Sequence, residues 1–85
     1  MRVEFSKNFE KEYRKLRPGK QDKVDAAIGL FLTDHAHPQL RKHALTGEWL
    51  GHYSISAGGD LRLHFKLLGG LALFVSVGTH AQLYG

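Results

Sequence analysis

Two periods divide the chain. As far as Thr33 the apolar side chains recur every three or four residues, and from Trp49 onward they recur every second residue. Before both, residues 2–5 (RVEF) alternate, with Val3 and Phe5 on one side, and predict a short strand. Ser6 is suited to cap the helix that follows. Phe9, Tyr13 and Leu16 fall at i, i+4 and i+7, one apolar stripe of a helix that Pro18-Gly19 ends. A second helix is expected from about Lys20 to Thr33, with Val24, Ala27, Ile28 and Phe31 inward. The short break makes the two an antiparallel pair. The stretch DHAHP reads as a loop, because Pro38 disfavours helix at His37.

In GHYSISA, Tyr53, Ile55 and Ala57 point one way, and His52, Ser54 and Ser56 the other. Gly58-Gly59-Asp60 is a hairpin turn. In LRLHFKL, Leu61, Leu63, Phe65 and Leu67 share one face, and Arg62, His64 and Lys66 the other. After a second turn at Gly69-Gly70, LALFVSVG is apolar on both faces, as a central strand is. The expected fold is therefore α+β, in the order β-α-α-β-β-β, with the helix pair packed on one face of an antiparallel sheet. The second face carries His52, Ser54, Ser56, Arg62, His64 and Lys66 and is expected to be an exposed polar surface that meets a ligand.

Eighty-five residues make a single domain, 1–85, and an apolar fraction of 42% argues against disorder. With no cysteine, a disulfide and a thiolate nucleophile are excluded. The N-terminus lacks the apolar region of a signal peptide and no stretch is long enough to span a bilayer, so a soluble cytoplasmic protein is expected. The formal charge of +4 suggests an anionic partner. Residues 1–25 carry eight of the twelve Lys and Arg but also five of the eight acids, while all six histidines lie from His35 onward. Titratable chemistry collects in the second half.

There HALTGEWLGHYSI, GDLRLHFKL and VGTHAQLYG closely resemble the RelE/ParE superfamily of bacterial toxin–antitoxin toxins, in particular its YafQ branch. The most specific pieces are His-x-Leu-x-Gly-x-Trp at 43–49 and Gly-Thr-His-x-x-Leu-Tyr at 78–84, and FSKNFEKEYRKL extends the likeness to nearly the whole chain. The resemblance implies a metal-independent messenger-RNA endoribonuclease that works on the translating ribosome and is neutralised by a cognate antitoxin. The RNA's own 2′-hydroxyl attacks the adjacent phosphate, leaving a cyclic phosphate and a free 5′-hydroxyl.

Carried over position by position, the resemblance makes His80 and His43 the acid/base candidates, suited by an ordinary pKa near 6.5. His80 is expected at the end of a strand, exposed and rigidly aimed. Asp60 corresponds to an aspartate that orients a histidine, or it simply serves the turn beside two glycines. Arg62 matches an arginine of the RelE branch and is suited to bind the scissile phosphate bidentately. Tyr84 corresponds to a C-terminal aromatic that either stacks on a base or anchors the terminus. The YafQ branch has a histidine where this chain has Ser56, and serine does not titrate near neutrality. Arg62 and His43 then share the missing work, or His64 (preferred) or His52 replaces it, or cleavage is weak. With Tyr84, the groups expected to touch RNA are His64, Ser56 and Lys66.

No cofactor and no metal site are expected: His35-x-His37 is weakly specific and has no second histidine pair at helical spacing. Trp49 is expected to pack at the edge of the core, and the cations Lys7, Lys11, Arg14 and Lys15 to form a solvated face or to touch ribosomal RNA. Two other classes remain open: a gyrase poison of the ParE kind, and a catalytically weak homologue that mainly binds its antitoxin. The antitoxin is expected over the helix pair or the basic face.

Overall fold

The computed structural model describes residues 1–84. Its elements are β1 (Arg2–Phe5), α1 (Lys7–Arg14), α2 (Pro18–Thr33), β2 (His43–Ala44), β3 (Tyr53–Ser56), β4 (Leu61–Leu68), β5 (Leu71–Thr79) and α3 (His80–Tyr84), with single 3-10 turns at Pro38–Leu40 and Gly47–Trp49. The local signals hold. Ser6 Oγ accepts from Phe9 N–H at 3.0 Å and caps α1. Pro18 opens α2 instead of merely separating the helices, because its fixed φ and missing N–H suit the first helical turn.

The α+β class and the helix pair are as expected, but the sheet is mixed rather than antiparallel. Five strands lie in the order β1-β5-β4-β3-β2. β1 pairs parallel to β5, while the other pairings are antiparallel. β5 thus has strands on both sides, the central place in the sheet that its apolar run predicted. The added strand β2 puts His43 and Ala44 at the opposite edge of the sheet.

β1 covers only Leu71 to Phe74 of β5. Beyond that point side chains of α1 take over the open edge. Asn8 Nδ2 donates to Val75 O at 2.8 Å, and Glu12 Oε1 accepts from Ser76 Oγ–H at 2.6 Å and Val77 N–H at 3.1 Å. The edge is closed without another strand.

The core lies between the helices and one face of the sheet. Val24, Ala27 and Phe31 of α2 and Phe9 of α1 meet Ile55, Leu61, Leu63, Phe65, Ala72, Phe74 and Val77. Phe31 meets the rings of Phe65 and Phe74 edge-on, at centroid distances of 5.1 and 5.4 Å. A bulge makes this core possible: Phe65 faces Phe74 but His64 faces Ser76, which leaves Val75 unmatched. The extra residue shifts the parity of β5, so that Ala72, Phe74 and Val77 all reach the core.

Candidate active site

The second face of the sheet carries polar side chains in register. One row runs His43, Ser54, His64, Ser76 across four strands, and the next runs Ser56, Arg62, Gly78. The alternation is as expected, but the face is not an open polar surface. Ser54 and His64 are fully buried. Trp49 and the C-terminal helix fold over them. The Trp49 ring meets His64 edge-on at 4.3 Å and His52 at 5.1 Å, and the Tyr84 ring lies 5.3 Å from His64. Trp49 is a packing anchor, as expected, and the structure places it on the second face of the sheet.

His80 is the first residue of α3, not the last of a strand. Three local devices make the turn. Gly78 lets the helix approach: a Cβ there would lie 3.0 Å from Gln82 Oε1. Thr79 and Gln82 form a reciprocal cap. Thr79 N–H donates to Gln82 Oε1 at 2.8 Å, and Gln82 N–H donates to Thr79 Oγ1 at 3.2 Å. The Thr-x-x-Gln spacing is a legible signal for this capping box, which period-based reading passes over. His80 and Tyr84 then fall at i and i+4, with ring centroids 4.5 Å apart. The four-residue spacing is thus one helical turn.

His80 is exposed, and its backbone N–H donates to Asp60 O at 2.9 Å, which joins the hairpin turn to the start of α3. The Asp60 side chain is also exposed. Arg62 NH1 donates to Gly59 O at 2.8 Å, Leu61 O at 3.1 Å and Ser56 Oγ at 3.3 Å. These bonds pin one nitrogen of the guanidinium and leave its other edge for an anion. Ser56, the departure from the family pattern, here holds Arg62. His43 Nδ1 lies 2.9 Å from Arg41 O, and because a carbonyl only accepts, Nδ1–H donates to it, so that in the neutral ring the lone pair sits on Nε2.

His64 does not fit the role of a replacement acid or base, nor that of a group touching RNA. It is buried, and its Nε2 lies 3.1 Å from the Tyr84 hydroxyl. Burial pushes its pKa down to about 4, and the charges of His52, His43 and His80 act the same way. Burial raises the pKa of Tyr84 and the charge of Arg62 opposes it, so Tyr84 stays a neutral phenol beside a cation. Lys66 is exposed but four residues from Arg62 along β4, about 13 Å away, and lies outside the cluster. His52 is half-buried beneath Trp49. His35 and His37 stay in the exposed loop: His37 Nδ1 accepts from Gln39 N–H at 3.1 Å, and His35 Nδ1 meets Lys42 Nζ at 3.0 Å. Among the described residues no group of three or more His, Asp or Glu is arranged to hold a metal ion.

This architecture is that of small bacterial toxins that work in toxin–antitoxin pairs. The chain superposes on the crystal structure of YafQ from E. coli strain BL21(DE3) with a TM-score of 0.83, at 24% identity over 100% of each chain. Against YafQ in the E. coli DinJ–YafQ toxin–antitoxin complex the TM-score is 0.79, at 25% identity over 98% of this chain and 96% of that one. Against the RelBE2 toxin–antitoxin complex of Mycobacterium tuberculosis it is 0.64, at 22% identity over 93% and 96%. No curated protein matches the sequence. The whole sequence, residues 1–85, matches the family described as the bacterial toxin of the type II toxin–antitoxin system, YafQ, and the chain belongs to that family.

Proposed function

We propose that this toxin is a metal-independent endoribonuclease that cuts messenger RNA on the translating ribosome. The observation that carries the reading is the meeting of His80, Tyr84, Arg62 and Asp60 where α3 leaves the sheet, with His43 on the second face beyond them. The His43 Nε2 lone pair takes the proton of the RNA 2′-hydroxyl. The 2′-oxygen attacks the adjacent phosphorus, the bond to the 5′-oxygen breaks, and His80 gives the leaving oxygen a proton. The products are a 2′,3′-cyclic phosphate and a free 5′-hydroxyl. The open edge of the Arg62 guanidinium offsets charge that grows on the phosphate oxygens. The exposed face of the Tyr84 ring stacks on a base, an interaction worth roughly 1–3 kcal/mol. The Asp60 carbonyl accepts the His80 backbone N–H and so fixes the start of α3 against the hairpin turn.

Family membership and the charge of +4 support a cognate antitoxin as the partner. We assign it to an apolar groove of about 530 Å³ between α1 and α2, lined by Phe5, Phe9, Tyr13, Val24, Ile28 and Leu32, on the far side of the sheet from His64. Leu32 and Phe5 are exposed there, as an incomplete apolar surface awaiting a partner is.

The test is induced expression of the wild type and of His80→Ala in bacteria, with 5′-end mapping of total mRNA. New in-frame cuts that need His80 are expected. Growth arrest without new RNA ends would replace this reading with gyrase poisoning. No arrest at all would leave a protein that only binds its antitoxin.

A further inference from the structure

We propose that His64, from beneath the sheet's polar face, is a positioning residue that fixes Tyr84 and the helix α3 for RNA. The proposal rests on the nuclease reading for its purpose, but not for its geometry. A helix of five residues does not hold its shape in water unaided. α3 is held by three ties. The Thr79–Gln82 cap secures its start. Trp49 Nε1–H donates to Leu83 O at 3.2 Å near its end. The third tie is the 3.1 Å contact between the Tyr84 hydroxyl and His64 Nε2. The last two meet at one point, because the Trp49 ring itself rests on His64 at 4.3 Å.

His64 is suited to this role by its surroundings. It is fully buried on the central part of β4, so its own position is set by the sheet. Kept neutral by burial and by His52, His43 and His80, it pairs its Nε2 with the Tyr84 hydroxyl, a bond that either tautomer of the neutral ring makes. Tyr84 in turn retains its proton to donate. The hydroxyl end of Tyr84 is thereby anchored while the residue stays 42% exposed, so a ring face remains for a base. Anchoring and stacking, which looked like competing roles for Tyr84, are two ends of one side chain. The i,i+4 contact passes the constraint on to His80.

The experiment uses the full chain and the variants His64→Gln, His64→Phe, Tyr84→Phe and the double His64→Phe/Tyr84→Phe. Glutamine keeps an acceptor near the place of Nε2, whereas phenylalanine keeps the ring and loses it. Amide hydrogen exchange of residues 80–84 is measured together with the rate at which purified bacterial ribosomes carrying a defined mRNA are cut. Loss of one such bond should raise exchange at Leu83 and Tyr84 and lower the cleavage rate about fivefold in both Phe variants. The double variant should be no worse than either single one, and His64→Gln should stay near wild type. Unchanged exchange in His64→Phe, multiplying effects in the double variant, or equal losses for Gln and Phe would each overturn the proposal. Exchange reads the tie whether or not RNA is cut, so a wild type that does not cleave refutes the nuclease reading alone.

Discussion

Lowering the pH from 7 to 5 asks His64 to take up a proton in a place built for the neutral ring. In the unfolded chain this imidazole titrates at its ordinary value near 6.5, and in the fold at about 4. Between these values the unfolded chain binds more protons than the native one, so acid favours unfolding. The contribution of His64 is intact above pH 6.5, falls as the pH drops toward 4, and is fully lost below that. At 1.36 kcal/mol per pH unit the complete loss is at most about 3 kcal/mol, and about 2 kcal/mol of it falls between pH 7 and 5. For a domain of this size that lowers Tm by about 10 °C. The assay is urea and thermal unfolding of the wild type and His64→Gln at both pH values. Glutamine cannot titrate, and every other ionisable group is shared, so the difference between the two slopes isolates His64. The wild type is expected to lose about 2 kcal/mol more than the variant. Parallel slopes, within about 0.5 kcal/mol, would show that the imidazole is not desolvated and would refute the reasoning. Trp49, the chain's single tryptophan, gives an internal probe because its ring lies 4.3 Å from His64. Its fluorescence should be quenched by the protonated ring, with a midpoint near pH 4.

Glu12→Ala should cost about 2 kcal/mol in urea unfolding, because it orphans the Val77 N–H and Ser76 hydroxyl at the edge of β5, and a loss below about 0.5 kcal/mol would show the edge to be closed by water instead. Phe31→Ala should cost about 3–5 kcal/mol, since it removes the ring that Phe65 and Phe74 pack against, and calorimetry would show a Tm lowered by tens of degrees or no transition at all. Ser56→His places a titratable ring in register with Arg62 and should raise the ribosomal mRNA cleavage rate at least about tenfold; an unchanged rate would show that His43 and Arg62 already supply the missing work.

Much of the fold is a local matter, and local chemistry is written in the chain. The three-to-four period of Phe9 and Tyr13, the Ser6 cap, the glycine turns and the strict alternation of LRLHFKL fix where the helices and hairpins fall. The inward sets follow from the same periods: Val24, Ala27 and Phe31 on one side, Ile55, Leu63 and Phe65 on the other. His80, Tyr84 and Arg62 were legible as candidates from the motifs that surround them.

What a period cannot say is which face of a sheet the rest of the chain will cover. Alternation put His64 and Ser54 opposite the leucines, but their burial depends on Trp49 and α3 folding back from distant positions in sequence. The same holds for β1, whose parallel place beside β5 joins chain segments about 70 residues apart and carries no local signal. The bulge at Val75 likewise answers to the packing of Phe74 and Val77 against α1 and α2. The sequence by itself determined the two long helices and the longer strands, their inward faces and the residues able to do acid/base and phosphate chemistry, because these depend on backbone propensity and side-chain type. Only the tertiary structure decided that β2 and α3 form, that His64 is buried and that Lys66 lies apart from Arg62 along β4, because solvation and distance are properties of the packed molecule.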